Sequence, residues 1–354
     1  MKIKFFLILF LGWMVIAAWL FCQDGLLDQK NPIWQSRPEK QAGFPNLKLL
    51  TFDFVKTITK LIRRDNRVYI LDWKMSVVSV FDDRQKLLMT IGRPGQGPGE
   101  FEQPRDMDIA SDGALYVLSA MTRRIEVFNP DGKYRGRISI SAPKEIFYSN
   151  PDMFRLLPNH EILVSYTLSP DFLYFYDSTG KFLRAVAPRI LPIAIPGENL
   201  GNTSDLLLKK NGEIVLFNRF SGIFTLLSPD GKIRKEFSAY SKIHEKNVGL
   251  VLKSQIKAKS SSGLTINEFC LWSNACVDEN DNIFVFSQFE VDDHMQNMFV
   301  FSPDGEFLYR KTLPFLRNKA VRAIYNYGNL FYFVSDNAGD EEVFCSQQKE
   351  PKEK

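Results

Sequence analysis

One turn of fixed chemistry returns along most of the chain and limits what it can fold into. VFDDRQKL (80–87), VFNPDGKY (127–134), FYDSTGKF (175–182), LLSPDGKI (226–233) and VFSPDGEF (300–307) each place apolar residues before a tight turn and another after it. In the NPDG and SPDG versions, Pro fixes φ at the first turn position and Gly takes the left-handed one, so these are hairpins with a physical cause. A second segment recurs, a turn followed by an alternating, strand-like run: NRVYILDW (66–73), DGALYVLSA (112–120), NHEILVSY (159–166), NGEIVLFNR (211–219), NDNIFVFSQ (280–288) and GNLFYFVSD (328–336). Most successive copies lie roughly 47 to 52 residues apart, the length of one four-stranded propeller blade. The wider interval between Val215 and Phe284 holds extra sequence from about Tyr240 to Glu268 with neither motif.

Six copies predict an all-β chain, a six-bladed β-propeller with four-stranded blades over residues 23–346 and a hydrophilic tail over 347–354. An aromatic content of 13%, with 30 Phe and 12 Tyr, agrees with strands. In one blade the expected strands are Asp106–Ile109, Leu115–Leu118, Arg124–Phe128 and Tyr134–Ile140. The last blade supplies strands near Val321–Tyr325, Leu330–Val334 and Glu342–Cys345 and then stops. An N-terminal strand, placed around Pro32 to Arg37, is therefore expected to complete it and close the ring, which removes the free sheet edges of an open circle.

Residues 1–22 read as an export signal: Lys2 and Lys4 precede an uncharged apolar run from Phe5 to Cys22. That run is long for a signal peptide and just long enough to span a bilayer, so the segment is either cleaved or kept as a membrane anchor. The expected location is extracytoplasmic, in the periplasm or anchored facing it. Without Lys2 and Lys4 the formal net charge falls from +4 to +2, which gives no reason to expect nucleic acid. In an oxidising compartment Cys270 and Cys276 are close enough to pair; buried free thiols are the other reading.

The run IGRPGQGPGEFEQPR (91–105) has the glycine density of a phosphate loop without its chemistry. A Walker loop ends in Gly-Lys-Ser/Thr before a helix, and here Gly99-Glu100-Phe101 leads into a strand. The expected role is a connection between blades, with Phe101 plugging the seam between sheets. Residues 91–134 as a whole, with the glycine-rich loop, the DGALYV strand and the RIEVFNPDGK hairpin, resemble an NHL repeat. The complete chain resembles exported six-bladed propellers of bacteria, mostly of unassigned activity.

Up-and-down strand order sorts the loops. The short turns between first and second and between third and fourth strands share one face; every long connection shares the other. Function sits more often on irregular loops over a rigid scaffold, so a ligand site is expected on that second face. The candidates there are Trp73, Arg93, Arg123, Tyr166, Arg219, Phe220, Asp292 and His294. Insertions at 188–201 and 240–268 are expected to overhang it, the second with a short helix carrying Val248, Leu252 and Ile256 on one side. His160 falls in a tight turn on the opposite face, and no G-x-S-x-G elbow is present. The leading expectation is a non-catalytic binding or scaffolding module of the cell envelope, with a protein, glycan or peptide ligand, no nucleic acid, no cofactor, and membrane contact only through the N-terminal segment. The alternative, an enzyme like the calcium-dependent lactonase and lyase propellers, needs inward carboxylates, for which Asp106, Asp152 and Asn202 are scattered candidates.

Overall fold

The computed structural model describes residues 48–141, 143, 149–166, 171–188, 204–219, 222–238, 272–287, 296–313, 320–337 and 340–347. Among these described residues, twenty-four strands form six four-stranded antiparallel sheets. Blade 1 comprises β2 (Lys60–Arg64), β3 (Arg67–Asp72), β4 (Val77–Asp82) and β5 (Leu87–Ile91). Blade 2 follows with β6 (Pro104–Ile109), β7 (Leu115–Ser119), β8 (Arg124–Phe128) and β9 (Tyr134–Ser139). Blade 3 has β10 (Met153–Leu156), β11 (Ile162–Ser165), β12 (Asp171–Tyr176) and β13 (Phe182–Pro188). Blade 4 has β14 (Ser204–Leu208), β15 (Ile214–Asn218), β16 (Ile223–Leu227) and β17 (Ile233–Ser238). Blade 5 has β18 (Trp272–Val277), β19 (Ile283–Ser287), β20 (Gln296–Phe301) and β21 (Phe307–Leu313). In blade 6, β22 (Ala320–Tyr327), β23 (Leu330–Asn337) and β24 (Asp340–Gln347) are joined by β1 (Lys48–Leu50) from the start of the described chain. The first strands β2, β6, β10, β14, β18 and β22 touch in that cyclic order, which closes the ring around a channel.

Closure therefore comes from an N-terminal strand, but at Lys48–Leu50, with Lys48 opposite Cys345 and Leu50 opposite Val343. That corrects the expected position at Pro32–Arg37, which lies outside the described residues. Proline and charge make 32–40 a poor ladder partner, whereas Leu49-Leu50 continues the apolar pattern of the edge it joins.

Apolar side chains gather in six clusters, one in each seam between neighbouring blades. Each sheet is covered on both faces, so the second strands bury consecutive residues: all five of Ile214–Asn218 are buried. The alternation expected along these strands survives only on outer ones such as β5, where Leu88 is exposed between half-buried neighbours.

The hairpin turns follow their sequence. In blade 2, Asn129 N–H donates to the Lys133 carbonyl and Gly132 N–H to the Asn129 carbonyl, and the register slips at Val127/Phe128. The same slip occurs at the corresponding point of blades 1, 3, 4 and 5. It is the bulge expected of a type I turn closed by a left-handed residue. Gly180 has φ +88°, and a methyl there would lie 2.2 Å from the Ser139 carbonyl oxygen of the previous blade. The turn glycine thus serves a conformational need and a docking contact together. Cations of one blade also cap the turn carbonyls of the next: Arg67 donates to Pro130 O, Lys209 to Pro303 O and Lys235 to Asp304 O. His160 occupies a left-handed turn position at φ +65°, a structural role on that face.

Candidate functional site

The long-loop face is held from below by side chains that consume its turn N–H groups. Asp72, at the end of β3, accepts from Lys74 N and Met75 N on one oxygen and from Lys56 N and Thr57 N on the other. This fixes the turn that carries Trp73 and Met75, which are 48% and 38% exposed. In blade 2, Ser119 Oγ donates to Glu102 O and accepts from Glu102 N, anchoring the turn that exposes Met121. Arg123 adopts φ +51° in that turn and donates through Nη2 to Ser149 O.

The glycine-rich connection binds an anion after all, and the anion is its own. Glu100 folds back to accept from Gly97 N at 2.8 Å and from Arg93 Nε at 2.8 Å. These bonds, the Gly97 N–H first, hold the Glu100 carboxyl below its usual range. Gly99 N donates to Glu126 Oε2, and Phe101 is buried in the seam edge-on to Phe128, as expected. Arg93 stays largely exposed beside Glu100.

Other expected site residues are placed elsewhere. Tyr166 is fully buried in the seam of blades 2 and 3, its hydroxyl 3.0 Å from that of Tyr176, and burial pushes its pKa well up. Arg219 reaches the channel, where its Nε and Nη2 grip Asp205. Phe220, Asp292 and His294 lie outside the described residues, as do 189–201, Tyr240–Glu268, Asn202 and Cys270. Cys276 is a buried free thiol whose pKa burial raises, which makes it inert.

The channel encloses a cavity of about 1050 Å³ lined by the first strands of the blades. These strands are sheet edges, so their outward N–H and C=O groups need partners. Side chains from the preceding blade supply many of them. Asp106 accepts from Phe154 N and Asp108 from Leu156 N, both at 3.1 Å. Asp205 accepts from Ala275 N at 2.7 Å, and Asn274 bonds both Ile324 N and Ile324 O. From blade 6, the Tyr325 and Tyr327 hydroxyls donate to Thr59 O and Leu61 O. The polar groups of the channel wall are mainly blade-to-blade stitches. Asp205→Ala is accordingly expected to lower stability by about 3 kcal/mol, since it strands a buried N–H and takes the carboxylate from Arg219. Asp205→Asn, which keeps an acceptor, should lose about 1 kcal/mol; urea unfolding followed by fluorescence compares the two.

One sector departs from this pattern. Asp106 already meets the backbone, yet Lys60 Nζ lies 3.2 Å from its Oδ1 and Arg155 Nη1 2.7 Å from its Oδ2. Burial opposes ionisation of Asp106, but Lys60 and Arg155 together hold its pKa below the ordinary value. Burial also lowers the Lys60 pKa and raises that of Asp108, which is half-buried. The sequence singled out Asp106 but neither Lys60 nor Arg155, because nothing local to blades 1 and 3 signals that they meet over a residue of blade 2. Among the described residues no three His, Cys, Asp or Glu side chains converge as a metal site. No step through a calcium ion follows from these residues.

Residues 47–150 match the family model described as DUF5128, 6-bladed beta-propeller. No curated protein matches the chain. Among solved structures, a candidate exported protein of Bacteroides fragilis aligns over 89% of this chain and 98% of its own, with TM-score 0.59 and 13% identity. A DUF4221 family member from Bacteroides vulgatus covers 87% of this chain and 98% of its own, with TM-score 0.55 and 12% identity. A virginiamycin B lyase from Staphylococcus aureus covers 86% and 89%, with TM-score 0.51 and 14% identity. At these identities the likeness is one of fold, and with the six closed sheets it establishes the chain as a six-bladed β-propeller.

Proposed function

We propose that the protein is a non-catalytic binding or scaffolding propeller of the bacterial cell envelope, exported by its first 22 residues, that takes a protein partner on its long-loop face. The observation that carries this is the exposure of Trp73, Met75 and Met121 on the turns of two neighbouring blades. Large apolar side chains held on fixed turns lose little entropy on binding, and Trp in such a position is a common energetic anchor. Arg93 adds a charged flank.

Affinity capture from envelope extracts with the propeller as bait should yield a reproducible partner that Trp73→Ala/Met121→Ala loses, with retention weakened at least tenfold. Absence of any partner, or a partner indifferent to the double substitution, refutes the reading. The metal-dependent lactonase or lyase reading is second, because Asp106, Asp108 and Asp205 are each bonded to the backbone of the next blade. A stoichiometric bound ion in elemental analysis of purified protein would promote it.

A further inference from the structure

We infer that the channel holds a second, separate site, for the carboxylate of a small organic acid, built on Arg155 and Lys60. A buried guanidinium needs acceptors for its donors, and two arginines of the channel answer that need differently. Arg219 turns the Nε/Nη2 edge of its fork onto Asp205. Arg155 is only 13% exposed, yet uses Nη1 alone, on Asp106 Oδ2 and the Phe154 carbonyl. Its Nε and Nη2 have no acceptor among the described residues, and neither is sealed from solvent. That edge presents two parallel N–H donors, which match the two oxygens of a planar carboxylate.

Lys60 completes the donor set. It grips the other oxygen of Asp106, is 19% exposed, and has a single partner among the described residues for its three donors. The neighbouring carboxylate Asp108 is turned to the Leu156 and Ile109 N–H groups, which occupy both of its oxygens. The cavity has room for a ring-sized body, and Tyr327 lines it near Arg155. A hydroxylated acid of sugar size suits that lining; a bare phosphate would use the charge and leave the cavity empty.

Galacturonate, galactose and inorganic phosphate, titrated calorimetrically into the exported chain at low salt and pH 7, test the site. Galacturonate should bind at least tenfold more tightly than galactose, its neutral counterpart, and more tightly than phosphate. Arg155→Lys keeps the charge beside Asp106 but removes the fork, and should weaken galacturonate at least tenfold. Lys60→Met, on another blade, gives an independent reading should Arg155→Lys fail to fold, with an expected loss of about fivefold. Equal binding of galactose, tighter binding of phosphate, no binding of galacturonate, or affinity unchanged in the folded variants each overturns the proposal. Capture of a partner through Trp73 and Met121 is unaffected by any of these outcomes, so the two sites stand or fall separately.

Discussion

Gly180→Ala is expected to lower the melting temperature by roughly 6 °C or more, while Gly212→Ala lowers it by about a third as much. Both glycines sit in turns at nearly the same backbone angle, φ +88° and +82°. An L-residue there costs about 1 kcal/mol in either case. The surroundings differ. A methyl on Gly212 would meet Pro229 at 3.5 Å, an ordinary contact, whereas on Gly180 it would meet the Ser139 backbone oxygen at 2.2 Å. A backbone carbonyl in a paired outer strand cannot step aside as a side chain does, so the seam between blades 2 and 3 must open there. That raises the total to about 3 kcal/mol, or roughly 6 °C for a domain of this size. Calorimetric melts of the two variants isolate the docking contribution; equal losses would show that the hairpin glycine serves the turn alone.

The ring's closure carries the second large effect. A chain beginning at Thr51 should be less stable than one beginning at Asn46 by about 4 kcal/mol, from three ladder residues and the partly buried Leu50. It should also self-associate, because losing Lys48–Leu50 bares the Val343–Cys345 stretch of the β24 edge. Melting temperature and size-exclusion elution read the two consequences independently. A monomer melting within about 2 °C of the longer chain would mean that the seam between blades 6 and 1, packed by Ile58, Leu61, Tyr325 and Val334, holds the ring without its latch.

The candidate site was less legible than the fold. The sequence places the turns of blade 2, the burial of Phe101 and the exposure of Trp73, because each depends on neighbours within a few residues. Tyr166 reads as a loop aromatic until the seam is seen to take it, since its partner Tyr176 lies on an adjacent strand of the same sheet. Lys60, Asp106 and Arg155 come from three different blades and meet only because the ring curves inward. No spacing along a chain encodes that curvature directly.

Sequence alone determined the number of blades, the chemistry of their hairpins and the sorting of short and long loops onto opposite faces, since turn geometry and strand length are local properties. Only the tertiary structure decided which segment closes the ring, that every sheet is buried on both sides, and which charges share the channel. Those outcomes depend on residues far apart in the chain being carried together by packing, and packing is a property of the closed ring.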